Sequence, residues 1–190
     1  MSPENQPTRT RSRRVDAERN RAAILAAARR LFDERGAEVA LDEVAKSAQV
    51  ANATLYRHFA TRADLLVAVY AEEVVELDEL SQRLLGRTDP AQALTDWLRA
   101  FVHHVATKRD LALAIPDEPD SDRGTRFNEW HSTMRTAAER LLTRAQESRA
   151  VRPEVAVTDL LALASSIALA GRTPAGVDAM LDLIRDGYRS

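Results

Sequence analysis

The sequence predicts an all-α fold: an N-terminal three-helix domain containing a helix-turn-helix, followed by a larger helical bundle, about nine helices in all. Three observations carry this. Gly (6) and Pro (7) are sparse among 190 residues and fall between longer segments rich in Ala, Leu, Arg and Glu, a composition that favours helices. Apolar residues recur at three- and four-residue spacing through most of those segments. Two short helical pieces also lie close together within residues 41–59, joined by only a few residues.

Residues 1–15, "MSPENQPTRTRSRRV", lack periodic apolar positions and read as a flexible basic arm. From about Asp16 to Arg35, the residues Ile24, Leu25, Ala28, Leu31 and Phe32 fall at helical spacing, and Gly36 is placed to end the helix. "LDEVAKSA" and "ATLYRHF" follow as the short pair. A long amphipathic helix is predicted from about Arg62 to Leu85, with Leu65, Leu66, Val69, Tyr70, Val74 and Leu77 as its stripe. "TDPAQAL" has the chemistry of a helix start, with Pro90 in the first turn. Leu94, Trp97, Leu98, Phe101, Val102 and Val105 continue that helix. "IPDEPDSDRG" reads as a mobile loop, and residues 124–149 as a helix bearing Phe127, Trp130, Met134, Leu141 and Leu142. Pro153 precedes an unusually apolar helix (154–171), and Pro174 opens a last one reaching Tyr188. The expected division is an arm (1–15), a helix-turn-helix domain (16–61, with the pair at 40–59) and the remainder (62–190).

Composition excludes several classes of function. Without cysteine, disulfides, thiol nucleophiles and thiolate metal sites are impossible. The N-terminus has no apolar signal core, and the longest apolar run, "LLALASSIALA", is too short to span a bilayer. A cytoplasmic location and no membrane partner are therefore expected. The four histidines (58, 103, 104 and 131) do not combine with a serine and a carboxylate in a catalytic pattern, so no catalytic residue is assigned. His103 and His104 point about 100° apart on a helix and cannot share a metal, so no metal or cofactor is expected. Net charge is −2, but residues 1–70 hold 12 Lys+Arg against 9 Asp+Glu, while the rest hold 15 against 20. A basic first third on an acidic body points to a polyanion-facing end.

The helix pair supplies the local chemistry. Val44, Ala45, Ala48, Val50, Leu55 and Phe59 can form the shared apolar interface of two steeply crossing helices. That leaves Thr54, Tyr56, Arg57 and His58 on other faces. So short a helix has no need of that many polar groups for solubility. A donor-rich helix of this size suits a DNA major groove, where phosphates and base edges both accept hydrogen bonds. Arg9, Arg11, Arg13 and Arg14 in the arm offer a second DNA contact or a merely solvated tail. A helical enzyme and an adaptor that has lost DNA binding are the rival readings.

Residues 19–70, with "ILAAARRLFDERG", "VAKSAQV" and "TLYRHF" in register, resemble the N-terminal domain of the TetR/AcrR family of transcriptional regulators. "WLRAFVHHVATKR" and "DLLALASSIALAG" resemble the C-terminal half of the SbtR-like subgroup more loosely. The resemblance implies a ligand-responsive regulator, usually a repressor, that binds palindromic operator DNA as a homodimer and is released by a small-molecule effector. It implies base-edge or groove contacts from Asn52, Ala53, Thr54 and Arg57, and phosphate contacts from Tyr56, His58 and Arg62, with Lys46 near the same surface. Three positions depart from the family pattern. Gln49 stands where the turn usually has glycine, and Ala40 and Ala51 stand where Ser or Thr commonly cap the second and third helices. Asn52 is a candidate substitute cap for the third.

The resemblance also implies an effector pocket where Trp97, Phe101, Phe127, Trp130 and Met134 converge, with His104, Asn128 and His131 as polar neighbours. Aromatic residues at helical spacing are also ordinary core. The apolar 154–171 helix and the last helix carry Leu160, Leu163, Ile167, Val177, Met180, Leu181 and Ile184, the expected four-helix dimer interface. The long helix from Arg62 would join reader to pocket, so that a ligand favouring one tilt alters the spacing of the two reading helices.

Overall fold

The computed structural model describes residues 7–36, 38–114, 121–170 and 173–189, with eight helices among them. These are α1 (Pro7–Arg35), α2 (Leu41–Ser47), α3 (Asn52–His58), α4 (Arg62–Leu84), α5 (Pro90–Ala114), α6 (Ser121–Glu147), α7 (Val157–Leu169) and α8 (Pro174–Tyr188). Against an overall expectation of about nine helices, the eight segments named from the sequence each have a counterpart among the described residues, and α5 runs unbroken to Ala114. Its sequence beyond Val105, "ATKRDLALA", contains no Gly or Pro to stop it. α1 starts at Pro7, so the expected flexible arm is helical from that residue on. Proline fits a first helical turn, where its missing N–H has no partner to lose. Of the expected loop "IPDEPDSDRG", residues 115–120 lie outside the described residues and 121–124 belong to α6.

The chain divides into two compact units, Met1–Val69 and Tyr70–Ser190, so the division falls inside α4 rather than at its start. In the first unit Ile24, Leu25, Ala28, Leu31 and Phe32 of α1, Val44 and Ala45 of α2, Leu55 of α3, Phe59, and Leu65 and Leu66 of α4 are buried. Ala45, fully buried, lets α2 approach its neighbours closely. Gly36 ends α1 at φ 81°, its N–H donating to Phe32 O at 2.8 Å. Arg35 bridges to Glu43 at 2.5 Å and Arg30 donates to Ser47 Oγ at 2.7 Å, tying α1 to α2 from the surface. The Arg35 pairing draws the Glu43 carboxyl below its ordinary range, first through the hydrogen bond and then through the opposite charge.

In the second unit α5 is the central helix, packing against α6, α7 and α8. Trp97, Leu94, Leu98, Ala137, Leu141, Ala164 and Leu181 form its core. The last turn is fastened from two directions. Tyr188 shares a 2.5 Å hydrogen bond with Thr95 Oγ1 and donates to Ala91 O at 3.2 Å. Its carbonyl accepts from Arg152 N at 3.0 Å. Burial raises the Tyr188 phenol above its ordinary pKa. No helix among the described residues is long and apolar enough to cross a membrane.

Candidate nucleic-acid interface and ligand cluster

The turn between α2 and α3 closes by a double hydrogen-bond pattern. Val50 N donates to Ala45 O at 3.0 Å and Gln49 N to Lys46 O at 3.2 Å, the paired 6→1 and 5→2 bonds of a left-handed helix terminus. Gln49 occupies the left-handed position at φ 58°. A non-glycine residue in that region strains the backbone of the turn, whose hydrogen bonds are nevertheless formed. α3 starts from Ala51 in extended backbone, with no side-chain acceptor from that residue, and the same holds for α2 at Ala40. α4 is better capped: Asp64 N donates to Thr61 Oγ1 at 3.1 Å and Thr61 N to Asp64 Oδ2 at 3.0 Å, a reciprocal capping box.

α3 commits little of itself to the core. Leu55 is buried, with Phe59 just beyond the C-terminus, whereas Asn52, Ala53, Tyr56 and Arg57 are exposed and Thr54 and His58 half-buried. Tyr56 is 47% exposed, so its ring and phenol are open to a partner. Arg21 of α1 lies over the Phe59 ring at 5.7 Å, holding the end of the element. Lys46 is exposed on α2. Arg62 stands apart from the other expected DNA-contacting residues: it is half-buried, and its Nη1 donates to Val39 O at 2.7 Å. That bond makes it a brace for the α1–α2 connection as well as a cation.

The second unit gathers the expected pocket residues and adds two. Trp97 is fully buried, its Nε1 donating to Leu77 O at 2.8 Å, and Phe101 stacks on it at 5.5 Å and 13°. His104 is buried beside Phe101, with ring centroids 6.5 Å apart. Its Nδ1 lies 2.8 Å from Glu73 Oε2 on α4. Tyr70, also on α4, sits 4.4 Å from the His104 ring, 4.8 Å from Trp130 and 5.9 Å from Phe127. Phe127 meets Trp130 edge-on at 5.2 Å, and Met134 is buried one turn further along α6. Among the described residues, Tyr70 Oη and His104 Nε2 are enclosed without a hydrogen-bond partner. Burial, reinforced by the Glu73 charge, raises the Tyr70 phenol well above its ordinary pKa.

Sequence reasoning placed Tyr70 in a generic stripe and passed over Glu73. The signal was available, because Glu73 interrupts the apolar face between Val69, Tyr70, Val74 and Leu77, and a carboxylate there is rarely buried without a task. Asn128 and His131 face outward instead, His131 Nδ1 donating to its own helix at Phe127 O, 2.7 Å away. A separate cavity of about 270 Å³ lies among α5, α7 and α8, lined by Arg99, Val102, His103, Ala106, Ala168, Val177 and Asp178. Arg99 pairs with Asp178 at 2.6 Å on its wall. Among the described residues no group of three or more His, Asp or Glu is placed to hold a metal.

The expected dimer residues divide. Leu160, Ile167 and Leu181 are buried in their own unit and cannot face another chain, because α5 needs that side of α7 and α8 for its own core. Leu163 is 50% exposed, and Val177, Met180 and Ile184 are half-buried. Leu169 and Leu183, which the sequence reading did not single out, are 58% and 72% exposed. Leu163 shares the exposed side of α7 with Asp159 and Ser166, and only its residue type makes it look like core.

Two family models match. Residues 24–69 fit bacterial regulatory proteins of the tetR family, and residues 89–190 fit the C-terminal domain of SbtR-like transcriptional regulators. A TetR transcriptional regulator from Streptomyces coelicolor is 32% identical, with a TM-score of 0.73 over 89% of this chain and 98% of that one. A gamma-butyrolactone receptor described as ArpA-like is 26% identical, with a TM-score of 0.57 over 92% of this chain and 90% of that one. The HTH-type transcriptional activator FasR of Mycolicibacterium smegmatis is 34% identical over 93 residues, 48% of this chain and 42% of the relative, so the chain spans less than half of that protein's length. Regulators of this kind bind operator DNA and dimerise, and they are not enzymes. With both halves matched and the fold shared along nearly its whole length, this chain belongs to the TetR family of transcriptional regulators.

Proposed function

We propose that the chain is a ligand-responsive repressor whose homodimer binds a palindromic operator through α3 and is released by a small molecule. The observation that carries the reading is α3, seven residues long, which buries only Leu55 and leaves a phenol, a guanidinium and an amide exposed. Asn52, Ala53, Thr54 and Arg57 read base edges, Tyr56 and His58 hold phosphates, and Lys46 approaches the backbone from α2. Two such helices need a separation of about 34 Å to meet successive grooves. A second copy docked on Leu163, Leu169 and Leu183 of α7 and α8 provides the symmetry.

The effector binds at the aromatic cluster of Tyr70, His104, Phe127 and Trp130. The likeness to a protein named as a gamma-butyrolactone receptor supports ligand responsiveness here. α4 carries Leu65 and Leu66 in the first unit and Tyr70 and Glu73 in the second, so a ligand that prefers one placement of α4 shifts the DNA-competent population.

Fluorescence anisotropy with a labelled duplex from the chain's own promoter tests the reading. Binding should weaken steeply with salt, and Arg57→Ala should cost about 1–3 kcal/mol with loss of base preference. Lys46→Ala should weaken all sequences alike and lower the salt slope by about 1. Affinity that is absent, or indifferent to salt and to Arg57, would return the adaptor reading. A promoter reporter separates repression from the activation that the FasR relative's name describes.

A further inference from the structure

We propose that the effector is an uncharged, ring-bearing molecule with a hydroxyl group, held by Tyr70 Oη and His104 Nε2 between the rings of Phe127 and Trp130. This rests on the effector reading above and specifies its chemistry. The two polar atoms carry the argument. Both belong to side chains almost wholly inside the protein, Tyr70 at 1% and His104 at 2% exposure, and neither atom has a partner among the described residues. Enclosed polar groups in native proteins are nearly always satisfied, and an orphan marks a place where something else supplies the bond. Here two orphans fall within one cluster, their rings 4.4 Å apart.

The neighbouring geometry narrows the partner. His104 Nδ1 is already engaged by Glu73 Oε2 at 2.8 Å. When Nδ1–H donates to that carboxylate, Nε2 of a neutral imidazole is an acceptor; on an imidazolium it is a donor. A hydroxyl satisfies it in either state, since it both gives and takes a proton. Tyr70 is a neutral phenol at physiological pH, as any tyrosine is, and burial and the Glu73 charge raise its pKa further, so it too can donate to or accept from a hydroxyl. A carboxylate ligand would bring a second negative charge beside Glu73, and a pure hydrocarbon would leave both orphans unmet. The walls are aromatic: Trp130 at 4.8 Å and Phe127 at 5.9 Å from the Tyr70 ring. Both are only half-buried, so a flat ligand reaches the polar pair by parting them and then stacking between them.

Tyr70→Phe gives the inference a signature that an ordinary core tyrosine would not produce. The change removes only an oxygen that lacks a partner, so thermal stability of the free protein should hold or rise. Affinity for a hydroxylated ligand should fall at the same time. The test is calorimetric titration of the full chain with 2-naphthol, naphthalene and 2-naphthoate. The expected result is that 2-naphthol binds about tenfold or more tightly than naphthalene, and 2-naphthoate more weakly than either. Tyr70→Phe should erase the 2-naphthol advantage while leaving naphthalene binding and Tm intact. His104→Gln, retaining a polar side chain, checks the second atom and should also reduce the advantage.

Failure of 2-naphthol to bind up to its solubility limit, equal binding of naphthol and naphthalene, a preference for naphthoate, or a Tyr70→Phe variant with unchanged naphthol affinity would each overturn the inference. The effector reading fails separately. If 2-naphthol binds through Tyr70 but leaves promoter DNA bound, that reading is wrong and the site assignment stands. If another class of compound releases DNA while 2-naphthol does not bind, the reverse holds.

Discussion

Replacing Gln49 with glycine should stabilise the first unit, and the amount follows from the turn it occupies. Gln49 sits at φ 58° with its N–H bonded to Lys46 O and the next N–H bonded to Ala45 O, so the backbone is fixed on both sides of a conformation that L-residues avoid. A side chain in the left-handed region costs about 1–2 kcal/mol. Glycine removes that cost but leaves the unfolded chain freer, which offsets about 0.4–1 kcal/mol. The Gln49 side chain is exposed, so its loss takes little packing with it. The net gain is about 0.5–1 kcal/mol, or a rise in Tm of a few degrees if the first unit unfolds on its own scale. Urea titration followed by circular dichroism reads the difference as a shift of midpoint at constant slope. Gln49→Val should move the midpoint the other way, since a β-branched side chain tolerates the left-handed region poorly. A Gln49→Gly protein with an unchanged or lower midpoint would refute the strain argument.

Other perturbations follow from the same geometry. Ala51→Ser supplies the missing acceptor at the start of α3 and should add about 1 kcal/mol, read in the same titration. Trp97→Phe loses a fully buried indole and its bond to Leu77 O, and should destabilise the second unit by about 2–4 kcal/mol, measured by thermal unfolding. Alkaline pH should destabilise the fold. The Tyr188 phenol is raised above its ordinary value of 10, so the native state keeps a proton that the unfolded chain releases. Its contribution is complete below about pH 10 and declines above it; Tm scanned from pH 8 to 11 should fall less steeply in Tyr188→Phe. Leu183→Glu places a charge on the most exposed large apolar side chain among the described residues and should convert the proposed dimer to monomer in sedimentation, with unchanged helical content.

How far the sequence could be read depended on how local each cause was. The helix pair was legible because Ala45, Leu55 and Phe59 lie within one short stretch and leave few ways to bury their apolar faces. The end of α1 was legible for the same reason, Gly36 being a local signal with a local outcome. The start of α1 was not: "PTRTRSRRV" has no apolar period, so residues 7–15 resembled an arm although the chain there is helical. The aromatic cluster was half legible. Trp97, Phe101 and Trp130 advertise themselves by size, but Glu73 and Tyr70 gain their meaning from His104, thirty-one positions beyond Glu73, and no spacing rule joins them. The outward face of α7 was only partly legible, since Asp159 and Ser166 mark its exposed side but Leu163, lying between them, has the same side chain as the buried Leu160.

The two tryptophans divide the labour of reporting on this molecule. Trp97 is sealed and bonded to a backbone carbonyl, so its emission should be blue-shifted, deaf to acrylamide, and altered only when the helical body comes apart. Trp130, half in solvent and 4.8 Å from the Tyr70 ring, should emit further to the red and be open to quenchers. A single unlabelled sample therefore carries two optical channels, one for global integrity and one for the proposed occupancy of the aromatic cluster. The effect of any added compound can be sorted between the two before DNA enters the cuvette.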